Sequence, residues 1–155
     1  MNFCKTFLLA FIVSGQLSGQ PKEVQTISRI DLNEIQQGTI QKFWLQLGSN
    51  GFNVSNSVPV LIAKGNGAGP VLGLTAAIHG NELNGIPIIQ NTFKNLDVSK
   101  LKGTIIGIPG INPTGIYNHK RKYIDNEDLN RNFPGRKDGN RSQQMAFQIN
   151  VKVLP

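Results

Sequence analysis

The feature that most constrains this chain is a continuous apolar run, Val71-Leu72-Gly73-Leu74-Thr75-Ala76-Ala77-Ile78, that ends in His79-Gly80-Asn81-Glu82. An apolar run without alternation reads as a strand covered on both faces. From Leu83 to Leu96, the apolar residues Ile86, Ile89, Phe93 and Leu96 recur at spacings of three and four, which predicts a helix. Pro87 is tolerated only in the first turn, so that helix starts near Leu83 or Asn84. Gly103 to Ile108 reads as a second buried strand. Strand, helix and strand in succession imply a right-handed crossover and an α/β fold with a mixed, mostly parallel sheet. Ligands in such sheets collect at the carboxyl ends of strands, where His79 falls.

The flanking segments fit one domain. Phe43-Trp44-Leu45-Gln46-Leu47 alternates as a strand does, Gly48-Ser49-Asn50-Gly51 reads as a turn, and Val58 to Ala63 completes an antiparallel hairpin. Lys64 to Pro70 and Pro109 to Gly115 read as loops. Ser142 to Leu154 is amphipathic, with Met145, Ile149 and Val153 on one face. A helix of that kind returns the chain to a further strand, so the expectation is a fold truncated after its second helix. With 155 residues and 39% apolar composition, the chain has material for a single modest core.

Met1 to Gln20 has a polar start with Lys5, an apolar stretch from Phe7 to Val13, and small residues at Ser14-Gly15 and Ser18-Gly19. That is the pattern of an export signal peptide, which leaves residues 21–155 as the domain and predicts an exported protein, periplasmic or secreted. The apolar stretch is shorter than the roughly 20 residues that span a bilayer, and Gln20 stands where a lipidated cysteine would be needed, so no stable membrane anchor is expected. The single cysteine, Cys4, lies inside this segment and can make no intramolecular disulfide. The net charge is +7 and much of the basic excess sits between Lys120 and Arg141, but Asp125, Glu127, Asp128 and Asp138 are interleaved there and no aromatic array accompanies the bases. This argues against nucleic acid and for a solvated basic rim facing a small substrate.

Two motifs carry chemistry. His79 and Glu82 flank a strand-to-helix turn in which Gly80 permits a tight path, so an imidazole and a carboxylate can converge on one cation. The plainer alternative makes Asn81 or Asn84 a helix cap and Glu82 a favourable charge beside the helix amino end. Leu83 follows Glu82, which excludes the helical inverted-zincin pattern requiring His at that position. The second motif is Asp128-Leu129-Asn130-Arg131-Asn132-Phe133-Pro134-Gly135. Arg131 offers a planar fork that matches a carboxylate, and Asn130 adds a donor without charge. The plainer alternative is a turn in which Asp128 pairs with Arg131.

Together, His-Gly-Asn-Glu-x-x-Gly after a strand and Asp-Leu-Asn-Arg-Asn-Phe-Pro-Gly resemble the succinylglutamate desuccinylase/aspartoacylase family, relatives of the zinc carboxypeptidases, over a stretch from about Val58 onward. The resemblance implies a three-layer zinc-carboxypeptidase-like fold, and a zinc ion held by His, Glu and a later His, with a later Glu activating water. It also implies an Asn-Arg pair that grips the substrate carboxylate. Carried over, His79 and Glu82 are the zinc ligands, and Asn130 and Arg131 bind substrate. A further family arginine precedes that pair and also contacts substrate; Lys122 stands at the closest position and Arg121 just before it, so Arg121 is nominated as a substrate-binding residue. The family's third ligand and catalytic glutamate fall beyond the last residue of this sequence, and His119, the only other histidine, sits in a loop. The leading expectation is therefore part of an exported zinc hydrolase that cleaves an amide bond beside a carboxylate, in an N-acyl amino acid or a peptide end. The alternative is a non-catalytic exported domain that binds acidic ligands.

Overall fold

The structure, a computed structural model, describes residues 23–49 and 55–153. The expected export segment and the Asn50-Gly51 half of the expected turn lie outside the described residues. The chain forms β1 (Thr26–Ile27), β2 (Thr39–Ser49), β3 (Ser55–Lys64), β4 (Gly67–Thr75), α1 (Gly85–Asn95), β5 (Lys102–Ile108), α2 (Pro113–Tyr117) and α3 (Arg141–Val153). Two single 3-10 turns, Val98–Lys100 and Leu129–Arg131, complete it.

The strands lie in the order β1-β2-β3-β5-β4. The sheet is mixed for a simple reason. β4 and β5, joined through α1, pair in parallel. The β2–β3 hairpin, with Phe43 opposite Val60 and Leu45 opposite Val58, joins them antiparallel through β3. The two-residue β1 adds in parallel to β2.

Because side chains alternate along a strand, each strand feeds two cores. Leu45, Leu47, Val58, Val60, Ile62, Ile106 and Ile108 face Met145, Ala146, Ile149 and Val153 of α3. On the other face Leu61, Ala63 and Ile105 meet Ile89 and Phe93 of α1. The result is three layers, helix, sheet and helix. Leu45, Val58 and Ile62 are wholly buried, and each such side chain contributes about 1.5–3 kcal/mol of transfer free energy. Gly107 lets α1 approach closely, since a Cβ there would lie 2.4 Å from the Phe93 ring.

Three expectations change. Among the described residues, the run beginning at Val71 is not covered on both faces, since Val71 and Leu72 remain about half exposed, and β4 lies at the end of the strand order. The Lys64–Pro70 segment is only partly loop, because β4 already starts at Gly67, which pairs with Lys102 ahead of an irregularity that ends at Val71. The Pro109–Gly115 segment contains the start of α2, with Pro113 in its first turn and Asn112 as its cap. Proline suits that position because the missing N–H would have no helical partner. Among the described residues no helix is long and apolar enough to cross a membrane.

Candidate metal site at the end of β4

Beyond Thr75 the chain stays beside β5. Ala76 N donates to the Ile108 carbonyl and Ile111 N donates to the Ala76 carbonyl, both at 3.1 Å. Ala77 then turns the backbone in the left-handed region, φ 54°. His79 follows, buried, and Glu82 N donates to the His79 carbonyl at 3.0 Å, closing a turn that sets both side chains on one side.

The imidazole has a carboxylate at each nitrogen. Nδ1 lies 3.0 Å from Glu82 Oε2, and Nε2 lies 3.0 Å from Asp128 Oδ1. Arg121 donates to the other Glu82 oxygen, and its second terminal nitrogen is 3.9 Å from Asp128 Oδ2. The His79 side chain is 7% exposed and that of Glu82 is 56% exposed, so the cluster opens to solvent on the Glu82 side.

Asp128 is built for its place. It caps the 3-10 turn: its Oδ1 accepts from Asn130 N at 3.0 Å and its carbonyl accepts from Asn132 Nδ2 at 2.8 Å. Leu129, wholly buried in the α3-side core, anchors the turn. Its carboxylate serves His79 and Arg121, not Arg131, so the simple Asp128–Arg131 pair is not what forms. The helix-cap alternative fares no better, since Asn84 occupies the cap position of α1 without a side-chain capping bond.

The structure thus brings His79, Glu82 and Arg121 into one cluster and adds Asp128, which sequence reading had placed in a motif but given no role at the site. A carboxylate on the second nitrogen of a metal-binding histidine is a common companion, and that was the available signal. Asn130 and Arg131 follow directly, exposed, and their side chains have no hydrogen-bond or ion-pair partner among the described residues. Of the adjacent bases, Arg121 turns toward the carboxylates, whereas Lys122 lines a separate hollow with Thr114, Asn118 and Ile124. His119 is exposed in the loop after α2.

Electrostatics follow from the contacts. Burial works to lower the His79 pKa, but the hydrogen bonds to Asp128 and Glu82 together outweigh it and raise it above the ordinary histidine value. Glu82 is lowered chiefly by its hydrogen bond to His79, with Arg121 adding to the effect. Asp128 is lowered by its bond to His79 and by the Asn130 amide. The site therefore favours a positive charge between Nδ1 and Glu82. A proton fills that place when the ring is charged, and with Nε2–H donated to Asp128 the Nδ1 lone pair is available to a cation. The donor set fits two of the three protein ligands usual at a hydrolytic zinc site. Among the described residues no group of three or more His, Cys, Asp or Glu is arranged to hold a metal.

Comparison with known proteins identifies the family of the chain. Residues 68–154 match the family model described as the succinylglutamate desuccinylase/aspartoacylase catalytic domain. An N-alpha-acetyl-L-2,4-diaminobutyric acid deacetylase of Halomonas elongata is 33% identical over 99 residues, which are 63% of this chain and 29% of that protein. The crystal structure of an aspartoacylase family protein of Mesorhizobium loti superimposes with a TM-score of 0.67 at 35% identity, over 75% of this chain and 37% of that one. A succinylglutamate desuccinylase/aspartoacylase of Rhodobacter sphaeroides gives 0.70 at 28% identity, over 81% and 38%. The chain spans only about a third of the length of these relatives. The match covers both motifs and all of the β4–α1–β5 unit except its first residue, Gly67, and the chain belongs to the succinylglutamate desuccinylase/aspartoacylase family.

Proposed function

We propose that this chain supplies two ligands, His79 and Glu82, to the zinc site of an exported hydrolase that cleaves an amide bond next to a carboxylate in a small N-acylated amino acid or a peptide end. The observation that carries this reading is the His79 ring held between Glu82 and Asp128 at the carboxyl end of β4. The name of the Halomonas relative, a deacetylase of an acetylated amino acid, supports the substrate class.

Zinc, when bound, supplies a Lewis acid for the scissile carbonyl and for the attacking water. The residues of this chain prepare the place for it. Asp128 fixes the tautomer and the plane of the His79 ring, leaving Nδ1 toward the cation. Arg121 keeps one oxygen of Glu82 occupied, so the carboxylate cannot swing freely. Asn130 and Arg131, exposed beside Asp128, grip the substrate carboxylate, and Arg131 does so with two parallel donors. A clamp of this sort holds the scissile bond in register with the metal and thereby lowers the entropic part of the barrier. Export rests on the apolar segment within Met1 to Gln20.

Calorimetric titration tests this. Zinc should bind the wild-type chain, and His79→Ala or Glu82→Gln should abolish that binding. An N-acetyl amino acid should bind more weakly when a chelator is present or Arg131 is replaced by alanine. Ligand affinity indifferent to the chelator would overturn the hydrolase reading in favour of a metal-independent binding domain for acidic ligands.

A further inference from the structure

His79 is held by more than its own side-chain contacts. On its amino side, the Ile78 carbonyl accepts from Asn112 Nδ2 at 3.0 Å. On its carboxyl side, Gly80 N donates to the Arg121 carbonyl at 3.3 Å. Gly80 also packs so tightly that a Cβ there would lie 1.9 Å from the carbonyl carbon of Gly115. All three contacts come from residues 112–121, the segment that begins as the cap of α2 and ends at Arg121.

Asn112 is wholly buried, and both ends of its amide are used. Oδ1 accepts from Gly115 N at 2.8 Å and closes the first turn of α2. Nδ2 crosses to the chain leaving β4. The crossing bond matters because local preference does not hold that stretch in place. Ala77, two residues before His79, is a buried non-glycine residue in the left-handed region. Such a backbone persists only where its surroundings over-determine it.

We infer that Asn112 is a positioning residue for His79: its amide fixes the Ile78 carbonyl, and with it the backbone from which the imidazole reaches Glu82 and Asp128. The inference rests on the metal-site reading above for its consequence, weaker zinc binding when the crossing bond is lost. A role limited to capping α2 predicts no such effect.

Asn112→Ser separates the two roles. Serine keeps an acceptor at the cap position and removes the donor to Ile78. The chain has two histidines, His79 and His119, so ring nitrogen NMR spectra read His79 directly, with the exposed His119 as internal reference. The His79 ring signals should shift or broaden without zinc while those of His119 stay. Zinc affinity by chelator competition should fall about tenfold, the lower end for a supporting contact at a metal site. Unchanged His79 signals with unchanged zinc affinity would overturn the inference. Should Asn112→Ser fail to fold, Asn112→Asp, which keeps the side-chain volume and the Gly115 acceptor, allows the same comparison. If wild-type His79 does not respond to zinc, the metal reading fails, yet the zinc-free spectra still decide the role of Asn112.

Discussion

Replacing Asp125 tests how the loop that carries the site is tied to the core. Asp125 lies between Arg121 and Asp128 in sequence, and its carboxylate accepts from both the backbone N–H, at 2.8 Å, and the hydroxyl of Ser142. Ser142 is the second residue of α3 and is wholly buried, so its N–H has no partner inside the helix and none from water. Asp125→Ala strands both donors. A hydrogen bond to an ionised group contributes about 1.5–3 kcal/mol. Because Asp125 is itself only half-buried, water screens part of that, and the expected loss for the pair is about 2–4 kcal/mol. Ser142→Ala keeps the backbone bond and should cost about 1–2 kcal/mol. The double variant should cost little more than Asp125→Ala alone, since the two residues share one interaction.

The effect has a pH signature. Burial works against the Asp125 charge, but the Ser142 donors, together with the backbone amides of Asp125 and Glu127, outweigh it and hold the carboxyl below the usual range. A group whose pKa is depressed by folding stabilises above its unfolded value, near 3.9, and that contribution disappears as pH falls through the folded value. Urea denaturation should therefore show the full gap between wild type and Asp125→Ala near neutral pH and a smaller gap at about pH 3. A gap of similar size at both pH values, or none at neutral pH, would refute the reasoning.

Two further outcomes are expected. Asp128→Ala, which removes the partner of His79 Nε2, should weaken zinc binding about 10- to 100-fold by chelator competition; affinity equal to wild type would show that Asp128 does not orient the ring. The exposed β4 edge with Val71 and Leu72 should drive self-association at high concentration. Val71→Lys with Leu72→Lys should suppress it in light scattering, and a wild-type chain that scatters as a monomer throughout would contradict this.

The parts of the fold legible in the sequence were those with a strong period. Alternation from Phe43 to Leu47 places Phe43, Leu45 and Leu47 on the α3 face, and the spacing of Ile89 and Phe93 places both against the sheet. What stayed illegible depended on neighbours distant in sequence. A continuous apolar run reports that both faces of β4 are apolar, not that anything covers them. α2 was hidden by Pro113, which reads as a loop residue unless Asn112 is recognised as its cap. At the site, His79 and Glu82 are three residues apart and announce themselves. The Asp128 contact spans 49 residues, and Arg121 proves paired with Glu82 only once the loop after α2 is folded back.

That division has a chemical consequence. The two proposed metal ligands, His79 and Glu82, lie on one short turn and would stay near each other in an unfolded chain, where both could still meet a cation. What folding adds is the second layer: Asp128 on the far nitrogen, Asn112 on the Ile78 carbonyl, and the Arg121 carbonyl on the Gly80 amide. Each comes from a different point along the chain, and each removes a freedom that the His79 ring would otherwise lose on binding. On the proposed reading, tightness of zinc binding at this site would thus be mainly a property of the tertiary structure, while the choice of donors would be a property of the local sequence. Because the cation then prefers the folded chain by the margin this second layer supplies, zinc should stabilise the fold by mass action.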